Sequence, residues 1–170
     1  DQSLRFEDGD SPYLSRTPSA GNRRTWTYSC WFKVGNTGIN RDLFSAGTSA
    51  PYSIISVNNG NTLKVDLKAG VEYSGGGTAA LLRDPSAWYH AVVVLDTTNG
   101  TADDRFRLYL NGVRVTDWDW QTNPDSSEEL TMNSNVAHYV GKEHGGSYFD
   151  GLMAEVHFID GTALTPSSFG

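Results

Sequence analysis

Two strand-like segments near the middle of the chain constrain the fold more than any other feature. Residues 88–95 are apolar on both alternating faces, so a strand there must be covered from two sides. In residues 106–110 apolar and polar side chains alternate, and Asn111-Gly112 follows them. Because Asn-Gly favours a two-residue turn with positive φ, this unit predicts a hairpin that sets Leu110 opposite Val113. The rest of the chain is expected to supply strands that lie against it.

Many other short segments alternate in the same way, with turn residues between them. The longest is residues 25–34, where five apolar side chains share one face: Trp26, Tyr28, Cys30, Phe32 and Val34. No segment longer than eight residues has a helical period, and 18 glycines supply turns. The sequence therefore predicts an all-β protein, a two-sheet antiparallel β-sandwich or jelly roll, as one domain over residues 1–170 excised from a longer protein.

Two stretches are expected to be irregular. Residues 70–80 contain Gly75-Gly76-Gly77, which predicts a mobile loop or a weak edge strand. Residues 119–135 are polar and carry a proline. Between the hairpin and this second stretch, Trp118 and Trp120 are two positions apart, so we expect them to project from the same side of one strand.

Composition excludes several classes of protein. The formal net charge is −7 and the sequence pI is about 4.9, with no basic stripe of the kind that nucleic-acid binders carry. No apolar run approaches the roughly 20 residues that cross a bilayer, so no membrane partner is expected. Cys30 is the one cysteine and is predicted to be a buried thiol.

An ordered series of motifs resembles a known family. Trp88-Tyr89-His90, Leu108–Gly112, Tyr139-Val140-Gly141 and Phe149–Val156 follow one another as in the laminin-G-like, concanavalin A-like lectin/glucanase superfamily. Residues 83–90 and 158–170 are closest to a subgroup found in tail and other structural proteins of bacteriophages. The resemblance implies a two-sheet jelly roll that usually binds glycans and often carries a calcium ion.

The sequence does not favour an enzyme. Glucanases of this superfamily carry their carboxylates as Glu-x-Asp-x-Glu on one strand, and no such triplet is present here. Asp117 and Asp119 are interpreted as solvated carboxylates. No Gly-x-Ser-x-Gly motif is present either, and His90 lies within an apolar strand as a structural histidine. Catalysis is therefore not expected.

Glycan binding calls for aromatic faces that stack on sugar C–H surfaces, together with a few fixed hydrogen-bonding groups. The candidates are residues that the core is least expected to bury: Trp118, Trp120, Tyr73, His144, Tyr148 and Asp150. Core packing for Trp118 and Trp120, and ordinary loop positions for the other aromatic residues, are the alternatives.

Calcium prefers carboxylate and carbonyl oxygens. Asp8 and Asp10 lie in an acidic glycine turn, and Glu155 is expected to approach them if the first and last strands are adjacent. The family often places an Asp directly before that Glu, where this chain has Ala154. The alternative is an acidic turn that only contacts solvent.

The leading hypothesis is a non-catalytic recognition domain that binds surface polysaccharide and is displayed on a phage tail or similar virion protein. The alternative is a structural or oligomerisation module whose exposed aromatic residues contact other virion subunits. Either hypothesis places the protein on a virion surface or in the extracellular space.

Overall fold

A computed structural model describes residues 3–70 and 73–170 of the chain. Thirteen strands are described: β1 (Leu4–Phe6), β2 (Leu14–Arg16), β3 (Thr25–Val34), β4 (Arg41–Ala46), β5 (Ser53–Val57), β6 (Thr62–Lys68), β7 (Tyr73–Leu81), β8 (Tyr89–Asp96), β9 (Phe106–Leu110), β10 (Val113–Arg114), β11 (Trp118–Thr122), β12 (His138–Val140) and β13 (Gly151–Asp160). Helical structure is limited to a single turn, α1 (Ala102–Arg105), and to 3-10 turns at Asp8–Asp10 and Pro166–Ser168.

The strands form two antiparallel sheets, which confirms the predicted β-sandwich. The six-stranded sheet has the order β1-β13-β3-β8-β9-β10, and the seven-stranded sheet has the order β11-β7-β6-β5-β4-β12-β2. Their inner faces enclose one hydrophobic core, in which Trp26, Tyr28 and Phe32 of β3 are fully buried. Cys30 lies in the same row as a buried free thiol, as predicted.

Strand β8 is covered on both faces, as its composition required. Ala91, Val93 and Leu95 belong to the core between the sheets, while Val92 and Val94 on the opposite face are also fully buried. On that face the His90 ring lies 6.5 Å from the Phe169 ring of the C-terminal segment. That segment is held by Thr27 on the neighbouring strand: its hydroxyl donates to the Thr162 carbonyl at 2.8 Å and accepts from the Leu164 amide at 2.9 Å. The C-terminal residues therefore complete the second layer over the central strand.

The predicted hairpin is also confirmed. Leu110 lies opposite Val113 and Tyr109 lies opposite Arg114. Asn111 and Gly112 have φ values of 52° and 80°, the left-handed conformation that this two-residue turn requires.

The prediction of a loop or edge strand over residues 70–80 is wrong for residues 73–80, while residues 71 and 72 lie outside the described part of the chain. Residues 73–81 form β7, which pairs with β6 on one side and β11 on the other. The glycines at its centre lack side chains because tryptophan rings occupy that space. A Cβ added to Gly76 would lie 2.7 Å from Cζ3 of Trp118, and one added to Gly77 would lie 2.8 Å from Nε1 of Trp120.

Trp118 and Trp120 do not project from the same side, so that prediction is wrong as well. The register of β11 against β7 shifts between them, with Trp118 opposite Thr78 and Trp120 opposite Gly77. The extra residue reverses the alternation, as β-bulges do. Trp118 turns inward, 5.9 Å from the Phe106 ring and against the core. Only residues 123–135 of the stretch predicted to be irregular lack a strand.

None of the described helices has the length and apolarity that a membrane span requires.

Candidate functional site

Aromatic side chains gather on the outer side of the seven-stranded sheet. This surface, called the aromatic face below, consists of Tyr13, Tyr52, Tyr73, Trp120, Tyr139, His144 and Tyr148. Four of the predicted glycan-binding residues belong to it, namely Tyr73, Trp120, His144 and Tyr148. The bulge in β11 removes Trp118 from this surface, and Asp150 lies elsewhere.

The first part of the aromatic face surrounds Lys68 at the end of β6. Its amine lies 3.7 Å from the ring centre of Tyr73 and 4.9 Å from that of Tyr52. The Tyr52 ring in turn contacts His144, with 4.2 Å between the ring centres. A hydrogen bond with Tyr73 raises the pKa of Tyr52 to about 12, while Lys68 lowers the pKa of Tyr73.

A second group of rings surrounds Lys142 on the same face, near the edge formed by β12 and β2. The amine lies 4.3 Å from the ring centre of Tyr13, 5.0 Å from Tyr139 and 5.5 Å from Tyr148. Tyr13 is 46% exposed, so this group reaches the solvent. Amphipathic rings of this kind offer both a stacking face and a hydrogen-bonding hydroxyl.

Trp120 lies on the outer surface of β7, over Gly77. The amine of Lys64 lies 5.8 Å from its ring centre and 2.8 Å from Oδ2 of Asp66. Since only a glycine allows the indole to lie this close to the strand, Gly77 determines where Trp120 sits.

A polar cavity of about 370 Å³ opens on the same side of the sheet. Lys64 and Asp66 line it on the side of Trp120, and Glu143 lines it on the side of His144. Nδ1 of His144 lies 3.0 Å from Oε2 of Glu143, which connects the cavity to the Tyr52 ring. Hydroxyl and amide side chains complete the lining: Asn40, Ser56, Asn58, Asn59 and Ser147.

Asp42 is the most unusual residue of this cavity. The side chain is only 3% exposed, and its Oδ2 atom has no hydrogen-bond partner among the described residues. Burial, together with the negative charges of Glu143 and Asp66 and against the opposing effect of Ser147, raises the pKa of the carboxyl to about 8. At neutral pH Asp42 is therefore mostly a protonated acid, able to donate a hydrogen bond.

Of the three acidic residues predicted to bind calcium, only Asp8 lies in a group of neighbouring carboxylates among the described residues. Carboxylate oxygens of Glu7, Asp8 and Asp150 all lie within 4.8 Å of one another. Oxygens bound to one calcium ion at 2.3–2.6 Å are at most about 5 Å apart, so the spacing fits that ion. Burial raises the pKa of Asp150, and the negative charges of Asp8 and Glu7 raise it as well. A cation bound between the three carboxylates would relieve the repulsion between them.

Asp10 and Glu155 lie outside this group. The first and last strands do pair, as expected, but the register sets Phe6 opposite Gly151 and Leu4 opposite Met153. Glu155 therefore lies beyond the far end of β1 from Asp8, where it is 65% exposed in its side chain and 3.3 Å from His157. Calcium binding stays a prediction, with Glu7 and Asp150 as the neighbours of Asp8.

His90 is a buried structural histidine, 2% exposed. Its Nε2 lies 2.8 Å from the hydroxyl of Ser29, which is itself 1% exposed, and its ring stacks on Trp31. Burial lowers the pKa of His90. The carboxylate of Glu155 lies beside His157 rather than beside His90.

Sequence reasoning missed Tyr52, Asp42 and Glu143. Asp42 is the second residue of β4, which begins at Arg41. One signal was present: Lys64, Asp66 and Lys68 share a strand face, and a polar row beside a tyrosine-rich segment is compatible with a binding surface as well as a solvated one.

The fold is a two-sheet β-sandwich, and its seven-stranded sheet carries an aromatic and polar outer face. The chain belongs to the concanavalin A-like lectin/glucanases superfamily, whose family model matches residues 8–168. No curated protein matches the sequence significantly.

Solved structures share the fold at low sequence identity. A heptameric pentraxin from Limulus polyphemus is 18% identical with a TM-score of 0.63, covering 97% of this chain and 74% of the pentraxin. Domain 4 of an arabinanase from Geobacillus stearothermophilus, in complex with arabinotriose, is 18% identical with a TM-score of 0.62, covering 89% of this chain and 66% of that one. A sialidase carbohydrate-binding module from Ruminococcus gnavus, bound to α2,3-sialyllactose, is 11% identical with a TM-score of 0.57, covering 94% and 96%.

Proposed function

We propose that this protein is a non-catalytic carbohydrate-binding domain and that its aromatic face is the binding surface. The observation that carries the proposal is the position of the polar cavity between two aromatic groups: Trp120 with Lys64 on one side, and Tyr52 with His144 on the other. Rings stack on the C–H faces of sugars, and the cavity offers donors and acceptors for hydroxyls.

Further support comes from structures with the same fold. The arabinanase domain was solved with arabinotriose and the sialidase module with sialyllactose, so this sandwich is compatible with oligosaccharide binding. The sugar itself depends on the side chains of this chain.

Loss of the aromatic side chains is expected to weaken polysaccharide binding. A glycan array selects the polysaccharide, and isothermal titration then compares the wild type with Trp120→Ala and Tyr52→Ala. We expect each variant to raise Kd about tenfold, because one lost stacking contact removes about 1–2 kcal/mol.

Trp88→Ala is the matched control, since Trp88 is 38% exposed and is not part of the aromatic face. It should bind as the wild type does. An array without any binding, or equal losses in all three variants, would contradict the proposal.

Cleavage is tested on the same samples, because a buried carboxyl with a raised pKa is also a feature of glycosidase acids. We expect no release of reducing sugar from the bound polysaccharide. Release that disappears in Asp42→Asn or Glu143→Gln would instead make the domain a glycanase.

Calcium binding is proposed at Glu7, Asp8 and Asp150, on the oxygen spacing described above. Calcium at ten times its Kd should stabilise the protein by about 1.4 kcal/mol and raise Tm by about 3–5 °C. Differential scanning fluorimetry with calcium and with a chelator measures this shift. It should vanish in Asp8→Asn and persist in Asp10→Asn; a shift that persists in both would place the ion elsewhere.

We further propose that the domain is displayed on a phage tail or a similar virion protein, on a virion surface or in the extracellular space. The support is the likeness of residues 83–90 and 158–170 to the phage subgroup. The reading frames that flank the coding sequence test this: genes for tail fibres or other virion proteins are expected, and a cellular neighbourhood would contradict it.

A further inference from the structure

Resting on the proposed function, we propose that the cavity around Asp42 binds the protonated amino group of a sugar. The glycan recognised by this domain would then contain amino sugars without an N-acetyl group.

Asp42 has no cationic partner among the residues described. Lys64 is the cation that lines the cavity, and it is paired with Asp66 at 2.8 Å. Arg41, next along β4, donates instead to the Asn58 carbonyl and to Oδ1 of Asn61. A buried carboxyl whose Oδ2 has no hydrogen-bond partner is costly to maintain, so its presence in a cavity points to an incoming donor.

The cavity is large enough to hold a sugar ring. A volume of about 370 Å³ holds roughly ten water molecules at 30 Å³ each, which is room for a sugar ring. The carboxylates of Asp42, Asp66 and Glu143 do not converge as Glu7, Asp8 and Asp150 do in the described part of the chain. The cavity therefore suits an organic cation that brings its own hydroxyls, and five neutral polar side chains are available to them.

The charged groups that act on Asp42 are acidic. Glu143 approaches from residues 141–148 and Asp66 from β6, and both raise the pKa of Asp42. Strand β5 carries no titratable side chain, and on β12 Tyr139 contacts Tyr13 while His138 bonds Val136 and Asn133. Lys142 is directed at the Tyr13 ring. An ammonium group gains from this acidic surrounding, whereas a carboxylated sugar is repelled.

Three pairs of small probes test the proposal: glucosamine, galactosamine and mannosamine, each against its N-acetyl form. They are titrated at pH 6.5 into the ¹⁵N-labelled chain and followed by NMR. We expect at least one amine to bind about tenfold more tightly than its N-acetyl form, because an ammonium–carboxylate contact replaces a neutral one. The affected amides should include those of Ser56, Glu143 and Ser147.

Asp42→Asn should remove this preference, and Asp119→Asn, at an exposed site, should keep it. Since Asp42 is protonated before the amine arrives, binding should also release a proton, seen as an enthalpy that differs between two buffers. Equal affinities within every pair, a preference that survives Asp42→Asn, or the same amide shifts with calcium alone would overturn the inference. The polysaccharide titration judges the proposed function separately: binding there without an amine preference leaves the function intact.

Discussion

Gly75→Ala is expected to destabilise the protein by about 4 kcal/mol, enough to unfold much of it at 37 °C. Gly75 has φ of 124°, a conformation that L side chains rarely adopt, and an added Cβ would collide with the Val65 carbonyl oxygen of the neighbouring strand. The strained backbone costs about 1–3 kcal/mol, and the collision with backbone atoms cannot be relieved by a rotamer change.

Gly100→Ala is the matched control, because nothing lies within 4 Å of a Cβ added there and its φ is not in the left-handed region. Its free energy of unfolding should stay within about 0.5 kcal/mol of the wild type. Urea unfolding followed by tryptophan fluorescence measures both. If Gly75→Ala were as stable as Gly100→Ala, β7 would not be the interior strand described above.

Asp42→Asn is expected to stabilise the protein, and increasingly so from pH 4 to pH 8. The unfolded Asp42 carboxyl titrates near 3.9, whereas burial raises the folded pKa to about 8. Between these values the folded protein binds a proton that the unfolded chain has lost, so wild-type stability falls as pH rises. Asparagine removes that loss, and the gain at pH 7 should be on the order of 2–4 kcal/mol.

Urea unfolding of both proteins at pH 4, 5, 6, 7 and 8 measures this difference. The two should be nearly equal at pH 4 and diverge until about pH 8, above which the difference stays constant. Asp119→Asn should follow the wild type throughout, because that side chain is exposed. Parallel profiles for wild type and Asp42→Asn would show that Asp42 is ionised in the folded protein. Binding sites often keep a group that lowers stability, so a substitution that removes the group stabilises the protein while it weakens binding.

The layered core could be predicted because its signals are local. Alternation over residues 25–34, the doubly apolar strand after Trp88 and the Asn-Gly turn each specify a strand or a register within a few residues. The structure confirms all three.

The glycine-rich strand was missed because its stability depends on distant residues. Gly75-Gly76-Gly77 alone has little strand propensity, and the rings that cover Gly76 and Gly77 come from β11, some forty residues later in the sequence. The bulge at Asp119 is equally invisible, since one extra residue exchanges the faces of the strand without any characteristic motif.

The aromatic face was predicted only in part, for a similar reason. Trp120, Tyr73, His144 and Tyr148 were chosen as aromatic residues in polar surroundings, and these side chains do meet on one face. Asp42 was missed, because the residues that line its cavity with it, such as Glu143, Ser147 and those of β6, are far away in sequence. Local pattern predicts exposure well, but the juxtaposition of side chains from several strands requires the fold.

An NMR map of the bound polysaccharide on the ¹⁵N-labelled domain shows directly whether the aromatic face binds it. Amide shifts are expected to concentrate on β5, β6, β7 and β11 and on residues 141–148, and Trp120→Ala is expected to diminish them. Shifts concentrated on the six-stranded sheet, with the aromatic face unaffected, would contradict it.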